Sequence, residues 1–161
     1  MYEAAHSIFI FGAKYAPLLS IIIASIWFLR QPGPRQKEFL ILGCVYLPLA
    51  LVIFELAGQF YYNPRPFAVG GFEPLIPHKA DNGFPSHHTL AAAIPAAMVF
   101  VFSRRAGYGL WALAVFTGLS RIYAGLHHGI DILGSVLIAI TALPLAYFIV
   151  RRLKRMKRVQ D

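Results

Sequence analysis

The stretch Phe39 to Gln59, FLILGCVYLPLALVIFELAGQ, holds one charged residue, Glu55, close to its end. About 20 apolar residues are needed for a helix to cross the hydrocarbon core of a bilayer, so this run reads as a membrane span. Four further apolar runs flank it, at Lys14–Leu29, Thr89–Ser103, Tyr108–Tyr123 and Ile130–Val150. The third and fourth spans are short, which predicts ends lying in the headgroup layer or extended by neighbouring polar residues. Composition agrees: 58% of the 161 residues are hydrophobic and 14% charged, with a mean hydropathy of +0.60, far from a soluble domain of this size. The expected fold is an all-α polytopic membrane bundle of about five transmembrane helices. No linker or shift in composition divides the chain, so residues 1–161 are expected to form one domain.

Basic residues set the expected orientation. Arg30, Arg35 and Lys37 follow the first span, Arg104 and Arg105 lie between the third and fourth, and Arg151, Arg152, Lys154, Arg155, Lys157 and Arg158 follow the fifth. By the positive-inside rule these face the cytoplasm, with the C-terminus, and the N-terminus is outside. The tail directly follows a span, as a segment drawn to anionic lipid would. The net charge of +8 is therefore explained without nucleic acid, since the aromatic residues lie in the spans rather than among the basic ones. The start of the chain lacks a cleavable signal pattern, so the first span is expected to be retained. Tyr2 to Phe11 is expected to lie as a short helix in the outer interface. Cys44, the single cysteine, lies within a span and can form no intrachain disulfide.

Alternating five spans brings three distant phrases to the outer rim: Asn63-Pro64-Arg65-Pro66-Phe67, Pro85-Ser86-His87-His88, and Ser120-Arg121 through His127 to Asp131. All six histidines, His6, His78, His87, His88, His127 and His128, fall on that side, as do Lys14 and Lys79. Ionisable groups at a membrane rim are costly and usually mark function. His127 and Asp131 are four apart, so on a helical turn the carboxylate can fix one ring nitrogen and leave the other free to attack phosphorus. Arg121 can hold two phosphate oxygens at once. Ser86 stands where a helix begins, and its hydroxyl and the N–H groups from Ser86 to His88 are suited to bind an anion. Arg65 is aimed by its flanking prolines, whereas Asn63 and Tyr62 read as structural or interfacial. Asp81 can orient a histidine or sit in solvent. Adjacent helical residues point about 100° apart, so His87 and His88 have different tasks, and no carboxylate or cysteine set accompanies them for a metal.

These phrases resemble the three-part signature of the type 2 phosphatidic acid phosphatase superfamily: lysine, six residues, Arg-Pro; Pro-Ser-Gly-His; and Ser-Arg, five residues, His, three residues, Asp. The likeness runs from Gly58 to Asp131, and the third part fits throughout. It implies that His127 is the nucleophile, Asp131 its orienting acid and His88 the general acid. It also implies that Arg65, Ser86 and Arg121 bind phosphate, assisted by the backbone at His87, with no metal or cofactor. The sequence departs from the pattern at Gly58, where a lysine is expected, and Lys79 is a candidate replacement. His87 stands at the usual glycine.

Within that superfamily the chain most resembles bacterial undecaprenyl pyrophosphate phosphatases. The resemblance implies a multi-pass protein of the bacterial inner membrane that removes the terminal phosphate of the carrier lipid at the extracytoplasmic face, for cell-wall synthesis. Five spans are one fewer than the usual six. Phosphatidylglycerophosphate, phosphatidate, diacylglycerol pyrophosphate and lipid A are alternative substrates for the same centre. A small transporter or channel is the alternative class, although its charges should lie nearer mid-bilayer.

Overall fold

The computed structural model describes residues 2–160, with side chains for residues 3–156. Its helices are α1 (Tyr2–Leu29), α2 (Gly33–Phe60), α3 (Pro66–Gly70), α4 (His87–Phe102), α5 (Arg104–Tyr123) and α6 (Gly129–Gln160). No strand occurs among the described residues, where the one β-type pairing is an isolated bridge between Pro64 and Asn82.

Long apolar sequences become helices here because an unpaired backbone group is costly in lipid, and a helix satisfies its own. Among the described residues three helices are long and apolar enough to cross a membrane: Glu3–Leu29, Gly33–Phe60 and Gly129–Met156. The other two expected spans fall short. The α4 helix has 16 residues, and α5 carries Arg104, Arg105 and Arg121. Both are sheltered by neighbours, since α4 packs against α1, α2, α5 and α6, while α5 also packs against α1.

The buried faces of α4 and α6 are rich in alanine, while many large apolar residues face outward. Ala92, Ala93, Ala96 and Ala97 of α4 and Ala139, Ala142 and Ala146 of α6 are buried, while Leu18, Leu51, Val52, Leu133 and Phe148 are exposed. That is the reverse of a water-soluble core. It is what lipid as solvent favours, because helices gain by close backbone approach rather than by hiding leucines. Gly107 marks one such approach, as a Cβ there would lie 2.5 Å from the Cα of Phe100. Buried polar groups tie helices together: Tyr46 Oη donates to the Ala139 carbonyl at 2.8 Å and Ser20 Oγ to that of Ala92 at 3.1 Å, as a buried donor requires.

The expected separate helix at Tyr2–Phe11 is instead the first part of α1. Phe9 stacks on Tyr123 at 4.1 Å and meets Phe116, and His6 lies edge-on to Tyr123, so these first turns are held against α5. At the opposite end α6 continues beyond Val150 through the basic tail, where Arg151 lies over the Tyr147 ring at 5.1 Å. The side chains of Lys157 and Arg158 lie outside the described ones.

The α1–α2 turn is closed by Gln31 and Gln36, whose amides donate to the Trp27 and Phe28 carbonyls at the end of α1. Above this turn α1 and α2 flank an apolar groove of about 550 Å³ floored by α4, with Ile21, Phe28, Leu47, Pro48, Ile94 and Met98 among its walls. The start of α1, the end of α2, the start of α4, the end of α5 and the start of α6 share the other end of the bundle, where the three sequence phrases meet.

Candidate active site

Three loops build this end. The first leaves α2 at Tyr61 and runs extended through Asn63 to Arg65, where Pro66 starts α3. Asn82 fastens it to the second loop: its Oδ1 accepts from the N–H groups of Asn63 (2.9 Å) and Phe84 (3.0 Å), and its Nδ2 donates to the carbonyls of Gly58 and Tyr61. The third loop turns at Gly125, whose φ of +74° favours glycine, and delivers His127 beside α6.

Asp131 is the hub. Its Oδ2 accepts from His127 Nδ1 at 3.3 Å and from the His128 N–H at 2.8 Å, while its Oδ1 accepts from Asn63 Nδ2 at 2.7 Å. Three donors thus satisfy a fully buried carboxylate. With its Nδ1 proton directed at Asp131, His127 carries a lone pair on Nε2. That nitrogen faces Nη1 of Arg65 at 3.2 Å and Nη2 of Arg121 at 3.4 Å. Burial pushes the His127 pKa down, as do the positive charges of Arg121 and Arg65, against the opposing Asp131 bond. The ring is thereby held neutral, the form that can attack phosphorus.

The two guanidiniums are buried and anchored differently. Arg65 donates from Nε to Asp81 Oδ1 at 2.6 Å and from Nη1 to the Leu126 carbonyl at 2.9 Å. The pairing with Arg65 holds Asp81 below the usual carboxylate range despite the contrary effect of partial burial. Arg121 has a buried Nε with no hydrogen-bond partner. An unpartnered buried donor on a guanidinium is costly, and an anion oxygen is its natural complement.

Ser86 caps α4, its Oγ accepting from the Thr89 N–H at 3.4 Å and from Thr89 Oγ1 at 3.1 Å. The expectation that the Ser86 N–H faces phosphate is not met, because it donates to the Asp131 carbonyl at 3.2 Å. Ser135 adds a second stitch, donating from Oγ to the Ser86 and Asp131 carbonyls. The start of α4 is therefore bound to the start of α6. His88 is half-buried in the first turn of α4, within electrostatic range of Arg121 and His127.

The structure thus gathers Arg65, Ser86, His88, Arg121, His127 and Asp131. It does not gather Lys79 or the His87 ring. Lys79 is exposed, with no side-chain hydrogen bond to the site among the described residues. The exposed His87 ring points away, edge-on to Phe54 at 4.4 Å. Asn63, read from sequence as structural or interfacial, touches Asp131 directly, and Asp81 holds Arg65 rather than a histidine. The proximity of Asn63 to Arg65 was the available signal for the first. A Cβ on Gly83 would lie 3.0 Å from Asp131 Oδ2 and 3.1 Å from the Asn63 carbonyl, so only glycine lets the second loop cross this close to the hub.

The chain is similar to known proteins over most of its length. The PAP2 superfamily pattern matches residues 39–155. The undecaprenyl-diphosphatase BcrC of Bacillus subtilis is 40% identical over 136 residues, 83% of this chain and 69% of that protein. The bacitracin transport permease protein BcrC of Bacillus licheniformis is 26% identical over 141 residues, covering 86% and 68%. The crystal structure of Aquifex aeolicus LpxE superposes with a TM-score of 0.66 at 23% identity, over 88% of this chain and 81% of that one, a likeness of fold. On the extent of the family match and the identity to the B. subtilis protein, the chain is a member of the PAP2 superfamily and a membrane protein.

Proposed function

We propose that this protein is a membrane lipid phosphatase that converts undecaprenyl diphosphate to undecaprenyl phosphate. The observation that carries the reading is the environment of His127: Nδ1 tied to Asp131, Nε2 facing two buried guanidiniums. The 40% identity to an undecaprenyl-diphosphatase supports the choice of substrate.

In the reaction, His127 Nε2 attacks the terminal phosphorus. The bond to the bridging oxygen breaks as His88 protonates that oxygen, and undecaprenyl phosphate leaves. His88 then takes a proton from water, whose oxygen attacks the phosphohistidine. The N–P bond breaks and phosphate is released. Arg65 and Arg121 bind the equatorial oxygens, whose negative charge grows in the transition state. Asp131 stabilises the imidazolium-like ring formed on attack. Charge neutralisation falls to guanidiniums here, and the reaction is metal-independent in this reading.

The basic residues gather at the other end of the bundle, which supports an extracytoplasmic site and a cytoplasmic C-terminus in the bacterial inner membrane. Residues 1–161 act as one domain in this proposal. The test is phosphate release by purified protein in detergent from undecaprenyl diphosphate, phosphatidylglycerophosphate, phosphatidate and lipid A, with and without EDTA. Undecaprenyl diphosphate should be turned over best and EDTA should leave the rate unchanged. A His127→Ala variant that retains hydrolysis would overturn the mechanism. Likeness to the bacitracin transport permease protein of B. licheniformis favours transport as a second reading, which would lead if the purified protein released no phosphate from any of these lipids.

A further inference from the structure

The fixed charges around His127 cancel, with Arg65 and Arg121 balanced by Asp81 and Asp131. A diphosphate headgroup brings at least two negative charges, each phosphate carrying roughly one to two at neutral pH. Gly58, where the resemblance expects a lysine, offers no cation, and its backbone is occupied. Its carbonyl accepts from Asn82 Nδ2 at 2.9 Å, and a Cβ on it would lie 3.3 Å from the Phe84 carbonyl oxygen.

The second loop supplies another candidate. Ile76 is buried against Ala13, Ala124 and Leu126, immediately beside His127. Five residues later Asp81 grips Arg65, which touches the other side of the same imidazole. Five residues span at most about 18 Å, so the segment between these anchors must pass close by the mouth of the site. His78 lies on it. Its exposed ring has Nδ1 engaged with the Lys79 carbonyl at 3.1 Å, which leaves Nε2 free. Arg65 from the first loop, Arg121 from α5, Asp81 from its own loop and His88 from α4 all lie within its electrostatic range.

We propose that His78 is a substrate-specificity residue: it binds the inner phosphate of a diphosphate headgroup, the one that stays with the lipid, and so favours diphosphates over monophosphates. The inference rests on the phosphatase reading given above. Without substrate, the partial burial of this largely exposed ring and then the two arginines push the His78 pKa down, against the Lys79 carbonyl and Asp81. The ring is thus neutral beside the guanidiniums at rest. An arriving phosphate dianion reverses that balance, and the protonated Nε2 becomes a donor to it.

The test is competitive inhibition of lipid diphosphate hydrolysis by methylenediphosphonate and by inorganic phosphate, in wild type, His78→Gln and His78→Lys. His78→Gln should weaken methylenediphosphonate about tenfold, as expected for one charge-assisted hydrogen bond, and phosphate less than twofold. The KM for the lipid diphosphate should rise with little change in kcat. In wild type, methylenediphosphonate should bind more weakly as pH rises from 6 to 8, whereas His78→Lys should hold its affinity across that range. Equal weakening of both inhibitors by His78→Gln, or of neither, would overturn the inference while leaving the phosphatase reading intact. Absence of hydrolysis by the wild-type protein would instead remove the reading and the inference together.

Discussion

Replacing Asn63 with alanine removes one of the side chains that join the first sequence phrase to the third, and with it a 3.2 Å contact to His128 Nδ1 as well as the bond to Asp131. In the folded protein, Asn63 Nδ2 is the donor to Asp131 Oδ1 at 2.7 Å, and that carboxylate is fully buried. Removing the donor leaves one oxygen of a charged group without a partner, while Oδ2 keeps its bonds to His127 and the His128 N–H. A hydrogen bond to a charged group contributes about 1.5–3 kcal/mol. Expressed wholly in the transition state, that is a loss of about tenfold to about 150-fold in kcat/KM. Deprived of Asn63, Asp131 draws more strongly on the His127 proton, so the acidic limb of the rate profile should move to higher pH. Initial rates of phosphate release between pH 5 and 8, with melting temperatures alongside, measure both effects. Tyr62→Ala is the control, its side chain being largely exposed, and should change the rate less than twofold. The reasoning is refuted if Asn63→Ala lowers kcat/KM less than threefold. It is refuted equally if the variant loses stability while kcat and the pH profile match wild type, because Asn63 would then be a structural tie and not a positioning residue.

The remaining predictions concern the nucleophile and its crossing loop. Since burial and the neighbouring arginines lower the His127 pKa, the unprotonated ring persists below the ordinary value of about 6.5, and the acidic limb of kcat/KM should fall below it. Arg121→Gln removes one charge that disfavours protonation, so its limb should shift upward while kcat drops about a hundredfold or more from the lost transition-state contact. Gly83→Ala places a methyl group 3.0 Å from Asp131 Oδ2. It should cost about 1–3 kcal/mol in thermal unfolding as an overpacked contact and lower kcat with it, whereas Gly33→Ala, where a Cβ meets nothing within 4 Å, should do neither.

What was legible in the sequence follows from which forces act locally. Hydropathy found α1, α2 and α6 as long apolar helices, because in lipid each apolar run must satisfy its own backbone whatever its neighbours do, and it located α4 and α5, which fall short of that length or apolarity and are sheltered by neighbours. Their ends were less legible. Lys14 looks like a boundary in one dimension, but Phe9 on Tyr123 lets α1 run unbroken from Tyr2, and that contact exists only once α1 and α5 lie side by side. The spacing from Arg121 through His127 to Asp131 could be read as chemistry because a four-residue interval brings nucleophile and acid together within one turn. Asn63 could not be read the same way, since the hydrogen bond that gives it a role joins residues 68 apart in the chain.

The departure at Gly58 shows how far a motif can be read without its surroundings. Compared with a lysine-bearing pattern, glycine there looks like a lost cation, and the nearest loop lysine, Lys79, is the obvious substitute. In the folded chain the position has a different task. Asn82 draws the Gly58 and Tyr61 carbonyls and the Asn63 and Phe84 N–H groups onto one side-chain amide, which requires the second loop to lie against the α-carbon of residue 58. A Cβ there would press on the Phe84 carbonyl oxygen at 3.3 Å, so the second loop would have to give by a few tenths of an ångström to admit a side chain. The glycine therefore lets the second loop lie close against α2, and Asn82 fastens there the loop on which His78 lies.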